Sequence, residues 1–583
     1  MSAVREKLRA LWQDQRSWKV RLPLAILSAF SCVFTFVLFG PCEIYLQNMQ
    51  EMPFPFLEML PTLLLAGGGL LAALLAVLLL LRGKAFNFAV SVLFAGTLAG
   101  YLQGNFLNLD HGSLDGNAVQ WPQYSGGMLW NCLVWLLVLA AVFFLLYFSR
   151  KAWTRGIELV CVILTGAQIT AFIVLLVNAG PERVARVGQE EAYVSREGIF
   201  EVAPENNVIV FLLDRLDNRY TDEVLELHPE WRERLAGFTY YHDFTGSYAN
   251  TRPSIAYFMT GAEHDYATPW EDYFHRAWTR PVYPMLQDIH AAGYETRIYS
   301  DCAYVFGDAR DVEGLVDNIR RDEKSFRYEV MLNVMLTLSG YRYMPEALKP
   351  FYHIYSSELG AVVSVEDESD EGNNLYTVND VAFWRNYRES GLTVNPWSKG
   401  VFQFYHLEGA HSPYVMDENA DPVPLGGTRN GQITGNMEMI FRYLDELEEK
   451  GLFDDATIII TTDHARPPGT AGNISDVYGS RVSTLMIKPS GTGRSGALKL
   501  SNKQVCQNNL RASIISYFGL DTAAYGRTIE SIGENEEMTR TLWMRGESGE
   551  VKDKLYTFQI KGDANDFANW KLIEERKMKH IML

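Results

Sequence analysis

The first third of this chain carries five apolar segments, near Leu22 to Phe39, Met59 to Leu81, Phe88 to Leu102, Met128 to Phe148 and Leu159 to Ala179. They constrain the fold more than any other feature. Crossing a bilayer takes about 20 apolar residues, and within lipid a single chain segment satisfies its own backbone by forming a helix. The third segment is shorter and flanked by Asn87, Gln103 and Asn105, so a re-entrant or interfacial helix is its alternative reading. Lys and Arg gather in alternate loops. Arg5, Lys7, Arg9, Arg16, Lys19 and Arg21 precede or open the first segment, Arg82 and Lys84 follow the second, and Arg150, Lys151 and Arg155 follow the fourth; Gly40 to Phe56 and Gln103 to Gly127 contain neither residue. The positive-inside rule then gives a multi-pass cell-membrane protein with a cytoplasmic N-terminus and everything after Ala179 outside. A cleaved signal peptide is disfavoured for the first segment, which lacks a small-residue cleavage site and is followed by four more.

The expected organisation is a transmembrane domain over 1–179, a helical linker over 180–205 and one large α/β domain over 206–583, long enough for its own core. Two smaller soluble domains are the alternative. A net charge of -18 argues against a nucleic-acid partner, which needs a basic face. Of six cysteines, Cys302 and Cys506 are clearly extracytoplasmic, which excludes a disulfide scaffold.

Chemistry concentrates at the ends of two apolar, β-branched runs. Asn207-Val208-Ile209-Val210-Phe211-Leu212-Leu213 breaks on Asp214, and Ala456-Thr457-Ile458-Ile459-Ile460-Thr461-Thr462 breaks on Asp463-His464. Runs without polar alternation suit strands buried on both faces, and ligands in open α/β sheets bind beyond the carboxyl ends of such strands. Between them lies Asn250-Thr251-Arg252-Pro253-Ser254-Ile255-Ala256-Tyr257-Phe258-Met259-Thr260-Gly261. A helix starting near Pro253 leaves Thr251 at its N-terminus, where free backbone N–H groups favour an anion. A threonine hydroxyl is a weak nucleophile unless a bound cation lowers its pKa. Two carboxylates, an imidazole and that oxygen suit Zn²⁺, with Mn²⁺ next.

These motifs resemble the alkaline phosphatase superfamily, in its sulfatase-like, membrane-anchored branch of phosphoethanolamine and phosphoglycerol transferases, to which lipoteichoic acid synthases belong. Laid on the sulfatase pattern Cys-x-Pro-Ser-Arg-x-x-x-x-Thr-Gly, the segment supplies Thr251, Pro253, Ser254, Thr260 and Gly261, with Ile255 in place of the arginine. Sulfatases oxidise the cysteine, or in some a serine, to an aldehyde that threonine cannot give, whereas the transferases use threonine directly. The resemblance implies a mostly parallel central sheet, a Zn²⁺ or Mn²⁺ ion held by Asp214, Thr251, Asp463 and His464, and Thr251 as nucleophile. Named subfamilies typically carry glutamate at the first ligand, so Asp214 departs from them and leaves head group and acceptor open.

The resemblance extends to His406-Leu407-Glu408-Gly409-Ala410-His411-Ser412-Pro413, similar to the branch's His-x-x-Gly-x-His-x-Pro. It implies that His406 and His411 contact the transferred phosphate, the leaving group or a second metal, and either suits general acid catalysis. Weaker candidates are Asp217 and Arg252, a possible phosphate clamp. Ser254 competes with Thr251 but suits a capping role on the helix's first turn; His264, Asp265 and Arg466 are near the motifs only in sequence. The implied function is transfer of phosphoglycerol or phosphoethanolamine from a membrane phospholipid to an outside glycan, lipid or polymer. The alternatives are a phosphodiesterase, phosphatase or sulfatase-like hydrolase of the same fold, and a decayed, non-catalytic domain.

Elsewhere, Asp222 to Leu235, Tyr283 to Ala292, Asn436 to Lys450 and Val505 to Gly519 read as helices. Phe238 to Phe244, Tyr294 to Tyr299 and Val401 to His406 read as strands, and Leu542 to Met544 with Lys554 to Ile560 as a small terminal sheet. Asp322 to Val363 reads as helical and aromatic, without recognisable chemistry.

Overall fold

The structure is a computed structural model. It describes residues 18–49, 52–111, 119, 121–180, 184, 191–322, 324–354, 358–359, 361–365, 374–423, 426–465, 482–546 and 554–578. Two compact units result: Met1–Gln189 with Ser325–Ser364, and Glu190–Lys324 with Val365–Met582.

The first unit contains five helices long and apolar enough to cross a membrane: α1 (Trp18–Gln47), α2 (Phe56–Leu80), α3 (Gly83–Leu107), α4 (Trp121–Phe148) and α5 (Arg150–Ala179). The third segment is therefore a full-length helix. Half of the apolar window of α1 and of α3 is buried, against 11 to 17% for the others, so those two form the centre of the bundle. Outward-facing Leu65, Leu80 and Phe148 give the remaining helices an apolar exterior suited to lipid. Sparse polar contacts tie the helices together. The Arg21 guanidinium donates to the Leu79 and Leu81 carbonyls that α2 leaves unpaired at its end, and the Thr35 hydroxyl donates to Gln168. The segment Ser325–Ser364 joins this unit through a helix, α7 (Tyr328–Tyr343), and a 3₁₀ turn, Glu346–Tyr352.

The second unit is built on a seven-stranded sheet. In chain order its strands are β1 (Asn207–Leu213), β2 (Thr239–Tyr241), β3 (Glu295–Tyr299), β4 (Val401–Leu407), β5 (Thr457–Thr461), β6 (Leu485–Lys488) and β7 (Lys499–Ser501). In space they run β7-β2-β6-β5-β1-β4-β3. β5, β1, β4 and β3 are mutually parallel, while β6 pairs antiparallel with both its neighbours. Every residue of β1, β4 and β5 is buried, as their unbroken apolar runs require. Register aligns Leu213 with Leu407 and Leu212 with Thr461, so the three central strands end at one level. Phe211, Tyr405 and Tyr299 stack across β1, β4 and β3 with centroids 5.3 Å apart. Three further helices matter for the site: α6 (Thr251–Thr260), α8 (Arg429–Glu449), which connects β4 to β5, and α9 (Gln507–Tyr517).

Several expectations change: the helix expected over Asp222 to Leu235 is broken into Asn218–Leu227 and Trp231–Arg234, and the one expected from Val505 starts at Gln507. The polar stretch before Glu201, expected to be a helix, contributes the strand Glu191–Val194, paired antiparallel with Ile319–Asp322; residues 181–183 and 185–190 of that stretch lie outside the described residues. The short terminal sheet has a third strand, since β8 (Thr539–Arg545) and β9 (Lys554–Lys561) are joined by β10 (Trp570–Lys577). Cys302 and Cys506 are not joined in a disulfide.

The terminal sheet is pinned to the main one by charge. The Arg540 guanidinium donates to both Asp243 oxygens, at 2.6 and 3.2 Å, with both side chains buried. Asp243→Ala leaves that cation buried and uncompensated, and the expected loss is about 3 to 5 kcal/mol of stability. Urea unfolding followed by circular dichroism measures it; an unchanged midpoint contradicts the assignment.

Candidate active site

The site forms where β1, β4 and β5 end. Asp214 directly follows β1, His406 is the penultimate residue of β4, and Asp463-His464 lies just beyond β5. Crossed main-chain bonds lock the ends together: the Asp214 N–H donates to Leu407 O at 3.0 Å, and the Ala410 N–H donates to Asp214 O at 2.8 Å. Gly409 makes this approach possible. It has φ +59°, and a Cβ there would lie 2.6 Å from Asp214 N.

Among the described residues, Asp214, Asp463 and His464 bring one ligand atom each to within 4.8 Å of one another. All three are buried, Asp463 completely. Asp463 Oδ1 accepts from the His464, Arg215 and Thr462 donors at 2.8, 3.2 and 3.2 Å. Its other oxygen, with Asp214 Oδ1 and His406 Nε2, is buried without a hydrogen-bond partner among the described residues. His464 Nδ1 lies 2.8 Å from Ala465 O; a proton there leaves Nε2 as a lone-pair donor, 3.4 Å from Asp463 Oδ2 and 3.7 Å from Asp214 Oδ1. Orphaned carboxylate oxygens around an oriented imidazole fit a divalent cation, and the donor set suits Zn²⁺ or Mn²⁺.

Electrostatics follow from this crowding. Burial works against the charge on Asp214, yet the facing imidazoles of His411, His406 and His464 outweigh it and hold the carboxyl below its usual range. Asp463 is driven above its ordinary value by burial and then by Asp214, against the pull of His464, His406 and the Thr251 hydroxyl. Burial opposes charge on His406, but Asp214, Asp463 and Asp301 raise its pKa overall. Like charges in a dry pocket push two carboxyls apart in this way.

Thr251 is the first residue of α6, with Asn250 as N-cap, and its Oγ1 lies 3.3 Å from His464 Nε2. The helix begins two residues earlier than Pro253 suggested, which puts the hydroxyl inside the first turn. The sequence candidates therefore converge: Asp214, Thr251, Asp463 and His464 meet, His406 Nε2 lies 3.8 Å from Asp214 Oδ2, and His411 faces Asp214. Arg252 packs over Trp270 and Tyr304, 5.7 and 5.8 Å from their ring centroids. The remaining candidates have structural work. Asp217 caps the helix Asn218–Leu227, His264 stacks on Trp270 and bonds Thr268 O, and Asp265 accepts from the Ala267 and Thr268 N–H groups in a turn. Arg466 lies outside the described residues.

Ser254 does not cap α6. Its hydroxyl donates to Asp463 O at 2.5 Å and accepts from Gln507 Nε2 at 2.9 Å, while Gln507 also reaches Asp463 O and accepts from the Ser247 N–H. One turn along α9, the Arg511 guanidinium donates to the Tyr257 and Phe258 carbonyls in the last turns of α6. α9 thus grips both ends of the helix that bears Thr251. Ser300, after β3, bonds His406 Nδ1 at 2.8 Å and orients the opposite nitrogen toward Asp214. Sequence reasoning missed Gln507, Arg511 and Ser300, since none stands in a motif.

No protein-family model matches the chain, and no curated protein matches it. Solved structures similar to it include a protein of the alkaline phosphatase superfamily from Vibrio parahaemolyticus, at 11% identity and a TM-score of 0.37, covering 64% of this chain and 82% of that one. A phosphonate monoester hydrolase from Silicibacter pomeroyi matches at 14% identity and a TM-score of 0.36, covering 62% and 87%. A lipoteichoic acid synthase from Listeria monocytogenes matches at 10% identity and a TM-score of 0.35, covering 61% and 82%.

Gln507→Leu keeps the side chain's volume but strips partners from Ser254, Asp463 O and Ser247. The expected cost is about 1 to 3 kcal/mol, read as a lower thermal unfolding midpoint. An unchanged midpoint contradicts the bridging role of Gln507.

Proposed function

We propose that this chain is a membrane-anchored, metal-dependent phosphotransferase. It moves a phospholipid head group, phosphoglycerol or phosphoethanolamine, by way of a phosphothreonine at Thr251 to a hydroxyl on a cell-surface glycan, lipid or polymer. The observation that carries this reading is the meeting of two buried, incompletely bonded carboxylates and an oriented imidazole with a threonine hydroxyl on a helix N-terminus. A Zn²⁺ or Mn²⁺ ion held by Asp214, Asp463, His464 and Thr251 Oγ1 would lower the hydroxyl's pKa and neutralise phosphoryl charge.

The residues divide the remaining work. The Thr251 Oγ1–phosphorus bond forms as the bond from phosphorus to the diacylglycerol oxygen breaks, and the hydroxyl proton goes to solvent. His411 or His406 protonates the departing oxygen. In the second half-reaction the same imidazole takes the proton of the acceptor hydroxyl, whose oxygen displaces Thr251 from phosphorus, and the released Thr251 oxygen recovers its proton from solvent. The N-terminus of α6 supports the anionic diester, and Arg252 lies on its first turn. The alternation of basic loops supports a cytoplasmic N-terminus and an extracytoplasmic catalytic unit, the side on which a surface polymer would be modified.

Two variants test the assignment. Asp463→Ala is expected to lose bound metal by elemental analysis. Thr251→Ala is expected to keep fold and metal but lose turnover of bis(4-nitrophenyl) phosphate by on the order of 10³-fold or more. Full metal content in the first variant removes Asp463 as a ligand. Wild-type rates in the second move the nucleophile to Ser254 or to water.

A further inference from the structure

The segment Ser325–Ser364 lies in sequence between β3 and β4 of the catalytic unit, yet it belongs to the membrane unit. Its seat is prepared in the sequence of the spans. A Cβ on Gly40 would meet Ser339 Oγ at 2.5 Å, and one on Gly104 would meet Tyr343 Cε1 at 2.4 Å. The Ser339 hydroxyl donates to Phe36 O at 2.6 Å, while Arg342 and Tyr343 donate to the two Glu43 oxygens at 2.8 and 2.7 Å.

The 3₁₀ turn that follows α7 is inverted with respect to water. In a 3₁₀ helix residues three apart share a face. Here Glu346 and Lys349 are the inward face and are buried, whereas Ala347, Leu348, Pro350 and Phe351 are exposed, Phe351 by 80%. The inward charges are matched within the bundle. Glu346 Oε1 accepts from Gln103 Nε2, the Leu109 N–H and Lys349 Nζ, each at 3.1 Å, and Glu346 Oε2 lies 3.1 Å from His111 Nε2. Lys349 also donates to Asn108 at 2.7 Å. Polar groups turned inward against polar and charged partners, with apolar groups outward, is the arrangement that lipid requires and water does not.

The place of the turn along the spans follows from one bond. The Glu346 N–H donates to Asn131 Oδ1 at 3.0 Å. Asn131 lies six residues past Ser125, where the α-helical part of α4 opens, which is about 9 Å along the helix axis. At the same end of the bundle Phe106, Leu129 and Trp130 of α3 and α4 are exposed, so the apolar surface of the turn continues that of the spans.

We infer that residues 346–352 are a membrane-embedded insert, and that lipid acyl chains cover Leu348 and Phe351. The catalytic unit's chain therefore enters the bilayer a second time, after the five spans. The test places an environment-sensitive fluorescent amino acid at Phe351 in the full chain, reconstituted in nanodiscs of phosphatidylethanolamine and phosphatidylglycerol. The same probe at Trp130 gives the lipid reference, and at the exposed Trp397 of the catalytic unit the aqueous one. The expected result is emission shifted to the blue, close to the Trp130 reference, with quenching by nitroxide-labelled lipids and none by iodide. Emission at the Trp397 position with iodide quenching overturns the inference, as does a blue shift that neither quencher affects, which would mean protein covers the turn. Should the Phe351 substitution prevent folding, hydroxyl-radical footprinting of the unaltered protein in the same nanodiscs decides. Protection of Phe351 is expected, and oxidation as fast as that of Trp397 overturns the inference.

Discussion

The second unit depends on two like charges brought together where both are buried. Parallel pairing of β1 with β5 in fixed register brings Asp214 and Asp463 to one edge, their ligand atoms within 4.8 Å of each other and of His464. The imidazoles of His411, His406 and His464 compensate them in part. Such a pocket gains most from a small, highly charged cation. Much of the surrounding structure serves to keep the two carboxylates aimed. Gly409 lets β4's following turn close onto Asp214, Thr462 and the Arg215 N–H fix one oxygen of Asp463, and α9 fastens α6 against the Asp463 carbonyl.

The membrane unit obeys the reverse rule. Its exterior is apolar and its polar groups turn inward, as with Gln168 on Thr35 and the Glu346–Lys349 pair among Gln103, Asn108 and His111. The chain thus answers two solvents. In the second unit the buried carboxylates of Asp214 and Asp463 lie together among imidazoles, whereas in the membrane unit the buried Glu346 lies against Lys349 and His111.

How far the sequence made this legible depends on whether the signal is local. The unbroken apolar runs of β1 and β5, each followed by an acid, identify the strands, because burial on both faces leaves no polar alternation. Thr251 followed by Pro253 marks a helix start within two residues. The five spans follow from length and composition. What stayed hidden is long-range or inverted. Gln507 meets Ser254 across 253 positions, and nothing near Gln507 announces it. The segment from Tyr328 to Tyr352 looks like an ordinary aromatic helical stretch, because its membrane character lies in which residues face inward, which needs the partners Gly40, Gly104 and Asn131. The linker expected to be helical is a strand from Glu191 to Val194, since pairing with Ile319–Asp322 overrides its local pattern.

The central claim is that Thr251 carries the transferred group. The most direct measurement is peptide mass spectrometry of the metal-loaded protein after incubation with phosphatidylglycerol or phosphatidylethanolamine. The account predicts a phosphoglycerol or phosphoethanolamine adduct on the peptide bearing Thr251, absent when metal is removed. Release of head group from either lipid with Thr251 unmodified throughout, even on rapid acid quenching, would contradict it and assign the attack to water.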